Sequence, residues 1–270
     1  MMWQERGAMS PIRERGGTSA GTVPGPSIGL YMSEPVRGLA GFAAMPLAAP
    51  WLSSAPRGDG HGVLVLPGLL ASNGSTAVLR RFVRRLGYDA VGWNLGRNRG
   101  PTDQVLDELP RELAGLAERT GRPVSLIGWS LGGIYARELA RRHPAQVRQV
   151  ITLASPFALT DPRQSHADGA YRRRGSLHAA GRVPTREQLA RPIGVPSTAV
   201  YSRRDGIVSW LACIGPETEL HENIEVRCAH LGFGTDPATL WLLADRLAVP
   251  VGQRREFRPP PALRSLYPGR

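Results

Sequence analysis

The sequence predicts an α/β domain in which a mostly parallel sheet is flanked by helices. Short apolar runs of strand length alternate with stretches whose apolar residues recur at helical spacing, and this alternation is typical of parallel sheets covered by helices on both faces. The run at 61–66 is apolar on both faces, as expected of a fully buried strand. A length of 270 residues with 41% hydrophobic residues suits one domain with a large core.

Each element follows from the local pattern along the chain. The predicted strands are 61–66, 88–93, 123–127, 147–153, 197–201 and 224–227. The predicted helices are 75–86, 102–119, 131–142 and 237–247. The helix at 131–142 ends before Pro144, because proline cannot continue a helix.

The two ends of the chain differ in composition from the part between them. Residues 1–26 are rich in Gly, Ser, Thr, Pro and Arg; they cannot bury enough apolar surface to offset the entropy of ordering and are predicted to be a disordered leader. Residues 249–270 are rich in Pro and Arg and are predicted to be an irregular tail. The globular domain is predicted to span 27–248, with a small cap inserted at about 156–196 that includes a helix at 185–190.

The composition limits the partners and cofactors. The formal net charge is +12, but the basic residues are all arginine and form no tight cluster interleaved with aromatic residues, which indicates a solvated basic surface and no nucleic-acid partner. Cys213 and Cys228 have no metal-ligand spacing and are too few for a disulfide framework. We therefore expect buried free thiols and neither a metal nor an organic cofactor.

The sequence contains no apolar run long enough for a membrane-spanning helix, so no stable membrane insertion is expected. The apolar, alanine-rich segment 38–55 resembles a secretory signal, but it begins well inside the chain and contains Pro46 and Pro50. A cytoplasmic location is therefore favoured over secretion. A translation start at Met32 would bring the segment nearer the terminus and strengthen the alternative.

The strongest chemical signal is the segment Gly128-Trp129-Ser130-Leu131-Gly132, which lies between a predicted strand and a predicted helix. A Gly-x-Ser-x-Gly turn in this context holds its serine in a strained, exposed position, and the glycines make room for close packing. The helix that follows directs its N-terminal N–H groups toward the serine. Ser130 is therefore predicted to be a nucleophile, although the same pattern also occurs as an ordinary flexible turn.

A serine nucleophile needs a base, and the base needs an acid to orient it. Asp205 follows the strand at 197–201 and His230 follows the strand at 224–227, so both are predicted to lie at the carboxyl edge of the sheet beside Ser130. Asp205 precedes Gly206 and is also explained as a turn aspartate, and Asp161 is the reserve acid.

The other histidines compete with His230 for the role of the base. His61 and His221 each precede a strand, and His143 ends a helix. These three histidines are therefore expected away from the carboxyl edge. His166 and His178 fall in the predicted cap. His230 is therefore the preferred base.

Two backbone N–H groups are predicted to bind the oxyanion that forms when the serine attacks a carbonyl. One belongs to Leu131, which directly follows the nucleophile, and the other to Leu69, in the loop Leu66-Pro67-Gly68-Leu69-Leu70 after the first strand. Pro67-Gly68 at the end of a strand is also explained as a simple turn.

Together, the loop at Pro67-Gly68-Leu69, the turn at Ser130, Asp205 and His230 resemble the α/β-hydrolase superfamily of esterases, lipases and thioesterases over residues 61–247. The segments 58–61, 94–98 and 201–208 are similar to a bacterial branch of this superfamily. The chain departs from the pattern in carrying Cys228-Ala229 before the histidine, where a Gly-Ser pair is common, and in showing no strands before the run at 61–66.

This resemblance implies a serine hydrolase that cleaves a small-molecule or lipid ester through an acyl-enzyme, without a cofactor. A thioesterase or a cofactor-free perhydrolase would use the same residues, and a non-catalytic binding protein on the same fold is a further alternative. The loop 94–99 is expected to border the pocket. The arginine run at 172–174, which follows Tyr171, is explained either by contact with an anionic substrate or lipid headgroup or, more simply, by a solvated loop.

Overall fold

The computed structural model describes residues 25–253 and 255–270. Its centre is a sheet in which all neighbouring strands are parallel, in the order β2-β1-β3-β4-β5-β6. The strands are β1 Gly62–Leu66, β2 Asp89–Gly92, β3 Val124–Trp129, β4 Val147–Leu153, β5 Ser197–Tyr201 and β6 His221–Glu225. The predicted fold class, a parallel sheet flanked by helices, is confirmed.

The helices cover both faces of the sheet. They are α1 Ile28–Ser53, α2 Ala77–Arg85, α3 Asp103–Thr120, α4 Leu131–Arg142, α5 Asp168–Arg172, α6 Arg186–Ala190 and α7 Pro237–Leu247. Because side chains alternate along a strand, Val63 and Val65 of β1 pack with α1, α2 and α7, whereas Leu64 and Leu66 pack with α3 and α4. The sheet is therefore buried on both faces, as the apolar run at 61–66 predicted.

Four elements have the predicted bounds, and the last strand does not. The bounds of β4, β5, α4 and α7 are those predicted from the sequence. The last strand was predicted at 224–227 but lies at His221–Glu225, where it pairs with β5 in the register Ser197 with His221. This prediction was wrong because β6 is an edge strand with mostly polar, half-buried residues, so its sequence carries little of the apolar pattern on which strand prediction depends.

The segment that resembles a secretory signal forms most of helix α1, which the sequence analysis did not predict. Ser27 caps the helix by accepting a hydrogen bond from Leu30 N. The helix packs against α7 and against the 3₁₀ turn at His230–Gly232, with Gly38 so close to Leu231 that a Cβ would lie 3.1 Å from the Leu231 Cβ. Within the described residues, no helix is long and apolar enough to cross a membrane. Nearly all of the predicted leader, residues 1–24, lies outside the described residues.

The C-terminal segment, which includes a 3₁₀ turn at Pro261–Leu266, packs tightly against the domain. Phe257, Leu263 and Tyr267 are buried in the same core as α7, and the Tyr267 hydroxyl donates a 2.7 Å hydrogen bond to Ala238 O. Arg270 forms an ion pair with Glu222 at 3.1 Å. The segment that the sequence analysis placed outside the domain therefore contributes to its core.

Candidate active site

Ser130 occupies a sharp turn between β3 and α4 at the carboxyl edge of the sheet. Its backbone has φ 53° and ψ −121°, in the left-handed region where a residue with a side chain is strained by about 1–3 kcal/mol. Close packing imposes this geometry: a Cβ on Gly128 would overlap the backbone of Gly132 and Gly133, and a Cβ on Gly132 would overlap the carbonyl oxygens of Leu66 and Pro67. The strained backbone and the close-packed glycines are those of a nucleophile elbow, but Ser130 is only 8% exposed, so it is less open than the exposed position predicted for it.

Asp205 and His230 form a buried pair at the same edge of the sheet. His230 Nδ1 lies 2.6 Å from Asp205 Oδ2, and Asp205 Oδ1 accepts hydrogen bonds from Ile207 N at 2.8 Å and Val208 N at 2.7 Å. A carboxylate only accepts hydrogen bonds, so it fixes the proton of a neutral imidazole on Nδ1. Nε2 then carries the free lone pair and is able to accept a proton.

The surroundings of His230 favour its protonated form. Burial opposes the charge on the imidazolium, but the charge and hydrogen bond of Asp205, together with the charge of Glu34, outweigh burial and raise the pKa of His230 above its ordinary value. A base with a raised pKa takes up a proton more readily from a serine hydroxyl.

The three predicted catalytic residues lie at one edge of the sheet, but the serine hydroxyl and the imidazole are not hydrogen-bonded. The His230 ring centre lies 6.4 Å from that of Trp129, the residue before Ser130. Within the described residues, the Ser130 hydroxyl makes no hydrogen bond with His230. Contacts of this kind are often long in the absence of substrate and shorten when it binds, so the catalytic roles of these residues stay predictions.

A cavity of about 410 Å³ opens beside Ser130. Leu69 and Leu131, the predicted sources of the oxyanion N–H groups, line it together with Ser130. As the first residue of α4, Leu131 has no carbonyl partner for its N–H within the helix, and the Leu69 N–H has no backbone acceptor within the described residues. Both N–H groups are therefore available to an oxyanion.

The loop that carries Leu69 is held in place by Asn98. Leu70 has φ 64° and donates to Asn98 O at 2.7 Å, while Asn98 N donates to Ala71 O at 2.8 Å. The Asn98 amide donates to Pro67 O at 2.9 Å and accepts from the Tyr135 hydroxyl at 3.2 Å. The prediction that the loop 94–99 borders the pocket beside Ser130 is wrong, because no residue of this loop lines that cavity. The loop instead supports the Leu69 loop through the hydrogen bonds of Asn98.

Two arginines of the loop 94–99 border a different cavity. Arg97, Arg99 and Arg174 line a smaller space of about 270 Å³ together with Leu70 and Leu177. Arg174 comes from the predicted arginine run, whereas Arg172 of the same run pairs with Asp168 at 2.9 Å. The run is therefore divided between an ion pair and a cavity wall.

The reserve acid Asp161 and the competing histidine His61 form contacts of their own. Asp161 caps a 3₁₀ turn at Pro162–Gln164 and binds Arg163. His61 is fully buried at the amino end of β1, where Nδ1 lies 2.5 Å from Asp59 Oδ1 and Nε2 lies 2.7 Å from Ser125 Oγ. This second group of serine, histidine and aspartate was not predicted, and it lies at the edge of the sheet opposite to Ser130.

Glu34 is a buried residue at the candidate site that the sequence analysis missed. From α1 it accepts hydrogen bonds from the backbone N–H groups of Gly206, His230 and Leu231, so it touches both loops that carry the acid and the base. The available signal was a single carboxylate in the largely apolar stretch 25–58, since such a group must find partners when it is buried.

The two cysteines and the possible metal ligands were predicted to form no reactive centre. Cys213 and Cys228 are free and buried, as predicted, and burial raises the pKa of both thiols. Within the described residues, no group of His, Cys, Asp and Glu side chains is arranged to hold a metal ion.

Comparison with known proteins places the fold. No protein-family model matches the chain. A pimeloyl-[acyl-carrier protein] methyl ester esterase of Aromatoleum aromaticum is 37% identical over 79 residues, which cover 27% of each chain. An esterase of the same name from Neisseria meningitidis is 46% identical over 46 residues, which cover 17% of this chain and 18% of the relative. The chain thus matches only about a quarter or less of the length of these relatives.

Solved structures resemble a larger part of the molecule. A lipolytic enzyme from the metagenome-derived pair LipS and LipT is 16% identical, with a TM-score of 0.50 over 71% of this chain and 93% of that one. Lipase B of Aspergillus fumigatus is 16% identical, with a TM-score of 0.51 over 73% of this chain and 54% of that one. The strand order, the turn at Ser130 and these likenesses together show that the chain has the α/β-hydrolase fold.

Proposed function

We propose that the protein hydrolyses carboxylic esters through Ser130, His230 and Asp205. The observation that carries the proposal is the meeting, at one edge of the sheet, of a strained serine that lines a cavity and a buried His–Asp pair whose Nε2 is free. The esterases and lipases that resemble the chain support the same reaction class.

In the first step, Ser130 Oγ attacks the ester carbonyl while His230 Nε2 takes the hydroxyl proton. Asp205 holds the imidazolium through Nδ1–H, and the N–H groups of Leu69 and Leu131 donate to the oxyanion. Collapse of this intermediate breaks the bond to the alcohol, which leaves with the proton from Nε2. Water, deprotonated by His230, then attacks the acyl-enzyme and releases the carboxylic acid.

The lining of the cavity favours an apolar acyl group. The cavity runs between α3, α4 and the insertion at 156–196, and most of the side chains along it are apolar. These are Val105, Leu106, Leu109, Ile134, Leu139, Phe157, Leu159, Val183 and Leu189. An acyl chain placed there is removed from water, which favours binding by about 25 cal/mol for each Å² of apolar surface buried.

The test is labelling with a fluorophosphonate probe, followed by hydrolysis of p-nitrophenyl butyrate, octanoate and palmitate. We expect the wild type and Ser125→Ala to be labelled and Ser130→Ala not to be, because Ser125 is fully buried within β3. Labelling that persists in Ser130→Ala would exclude Ser130 as the nucleophile. A folded wild type that reacts with neither the probe nor any ester would favour a binding protein on this fold.

A further inference from the structure

Glu34 links the N-terminal helix to both loops of the proposed acid–base pair. Its Oε1 accepts from Gly206 N at 2.7 Å and from His230 N at 3.0 Å, and its Oε2 accepts from Leu231 N at 3.0 Å. The side chain is 2% exposed. One carboxylate therefore binds the residue after Asp205, the base itself and the residue after the base.

We propose that Glu34 is a positioning residue whose carboxylate fixes the loops of Asp205 and His230 against each other and so presents the imidazole to Ser130. This inference rests on the proposed function. It assigns to α1, which contributes no residue to the proposed chemistry, the task of holding the base in place.

The contacts of Glu34 explain why a carboxylate is needed at this position. A buried carboxylate is costly unless it is paired and hydrogen-bonded, and here it has the three N–H groups and an ion pair with Arg37 Nη2 at 3.1 Å. Arg37 also donates to Arg204 O at 2.6 Å, which ties the same helix to the Asp205 loop a second time. An apolar side chain would leave the buried N–H groups of Gly206 and His230 and the part-buried N–H of Leu231 without this acceptor, at a cost of about 1–3 kcal/mol for each buried group.

The charge of Glu34 also acts on the base. His230 is enclosed by Asp205 from the loop after β5, by Glu34 from α1, and by the rings of Trp129 and Phe233. The two carboxylates stabilise the imidazolium. Arg37, which pairs with Glu34, partly compensates the charge of that carboxylate. Replacing Glu34 with its neutral amide should therefore lower the pKa of His230 and disturb its placement.

The experiment compares Glu34→Gln with Asp245→Asn, which changes a buried carboxylate on α7 that binds Arg246 and Arg255. For Glu34→Gln we expect kcat toward p-nitrophenyl butyrate to fall by about ten-fold or more, because small displacements of catalytic groups are costly. KM should change little, and the acid limb of the pH profile should move to lower pH. Asp245→Asn should lower Tm without either change in catalysis.

A second measurement does not depend on turnover. NMR titration of the His230 imidazole in Ser130→Ala, with and without Glu34→Gln, should show a lower pKa in the double variant. If Glu34→Gln leaves the His230 pKa and kcat unchanged and lowers only Tm, the proposal is overturned. Glu34 would then serve only to stabilise the packing of α1. Failure of the proposed function would be seen differently, as an inert wild type in which Glu34→Gln still moves the His230 titration.

Discussion

The part of the chain that the structure describes contains two groups of serine, histidine and aspartate, one at each edge of the sheet. Ser130, His230 and Asp205 lie at the carboxyl edge, and the His230–Asp205 contact measures 2.6 Å. Near the amino edge, His61 contacts Asp59 at 2.5 Å and Ser125 at 2.7 Å. The amino-edge group is the more completely hydrogen-bonded of the two, yet the carboxyl-edge group is the one that we propose to be catalytic.

The difference lies in access and in the backbone around the serine. Ser125 sits inside β3 with no exposed surface, and its hydroxyl also accepts from Gln149 Nε2 at 3.3 Å. Ser130 stands on a strained turn, lines a cavity and lies beside the N–H groups of Leu69 and Leu131. Acyl transfer needs a reachable hydroxyl and donors for the oxyanion as well as a base and an acid, and these features favour the carboxyl-edge group.

Substitution of the two histidines should separate the groups most strongly. We expect His230→Ala to lower kcat/KM for p-nitrophenyl butyrate by about three orders of magnitude or more with little change in the fold. His61→Ala should keep activity within about two-fold but lower the free energy of unfolding by about 2 kcal/mol or more, because Asp59 and Ser125 lose a buried partner. Esterase assays and urea unfolding measure the two effects.

The assignment of catalysis to the carboxyl edge is contradicted if the two histidine variants show the opposite effects. Loss of activity in a folded His61→Ala protein, with near-normal activity in His230→Ala, would assign the chemistry to the amino edge.

Removing the support of the Leu69 loop should have a smaller effect on catalysis, and this effect should be specific to the carboxyl edge. Asn98→Ala removes the side-chain hydrogen bonds to Pro67 O and from Tyr135 and should loosen the loop that carries Leu69. We expect kcat to fall by about ten-fold, less than the loss from removing an oxyanion donor outright. The matched change is Asn223→Ala in β6. It removes a side-chain amide that is hydrogen-bonded to the Gly215 backbone and should leave kcat unchanged. Equal kcat in both variants would show that the Leu69 loop holds its shape without Asn98.

The sequence predicted the residues whose signal is local, and it missed those whose partners are distant. The turn at Ser130 has its glycines, strand and helix within one short segment, and Asp205 and His230 follow from the order of strands along the chain. Glu34, by contrast, binds groups 172 to 197 residues away, and no local pattern reports such contacts. The apolar residues of α1 and the aromatic residues of the C-terminal segment also pack on parts of the chain that are distant in sequence. The local pattern therefore made α1 resemble a signal segment and placed the C-terminal aromatic residues outside the core.

The pKa values of the two histidines shift in opposite directions. The pKa of His230 is raised above 6.5, and a general base must be unprotonated, so kcat/KM should fall on the acid side with a midpoint above pH 6.5. For His61, burial outweighs the hydrogen bond to Asp59 and lowers the pKa below 6.5. The unfolded chain then binds the proton more readily, so the contribution of His61 to stability is complete above about pH 6.5 and is lost as the pH falls toward the lowered pKa.

Rate profiles and urea unfolding across this pH range test the two signs separately. His61→Ala should leave the acid limb of kcat/KM in place, because His61 lies at the opposite edge of the sheet from Ser130, and should reduce the loss of stability on acidification. An acid limb that moves with His61→Ala would mean that the amino-edge imidazole acts on the reaction. A limb with its midpoint below pH 6.5 would mean that burial, and not the two carboxylates, dominates the pKa of His230.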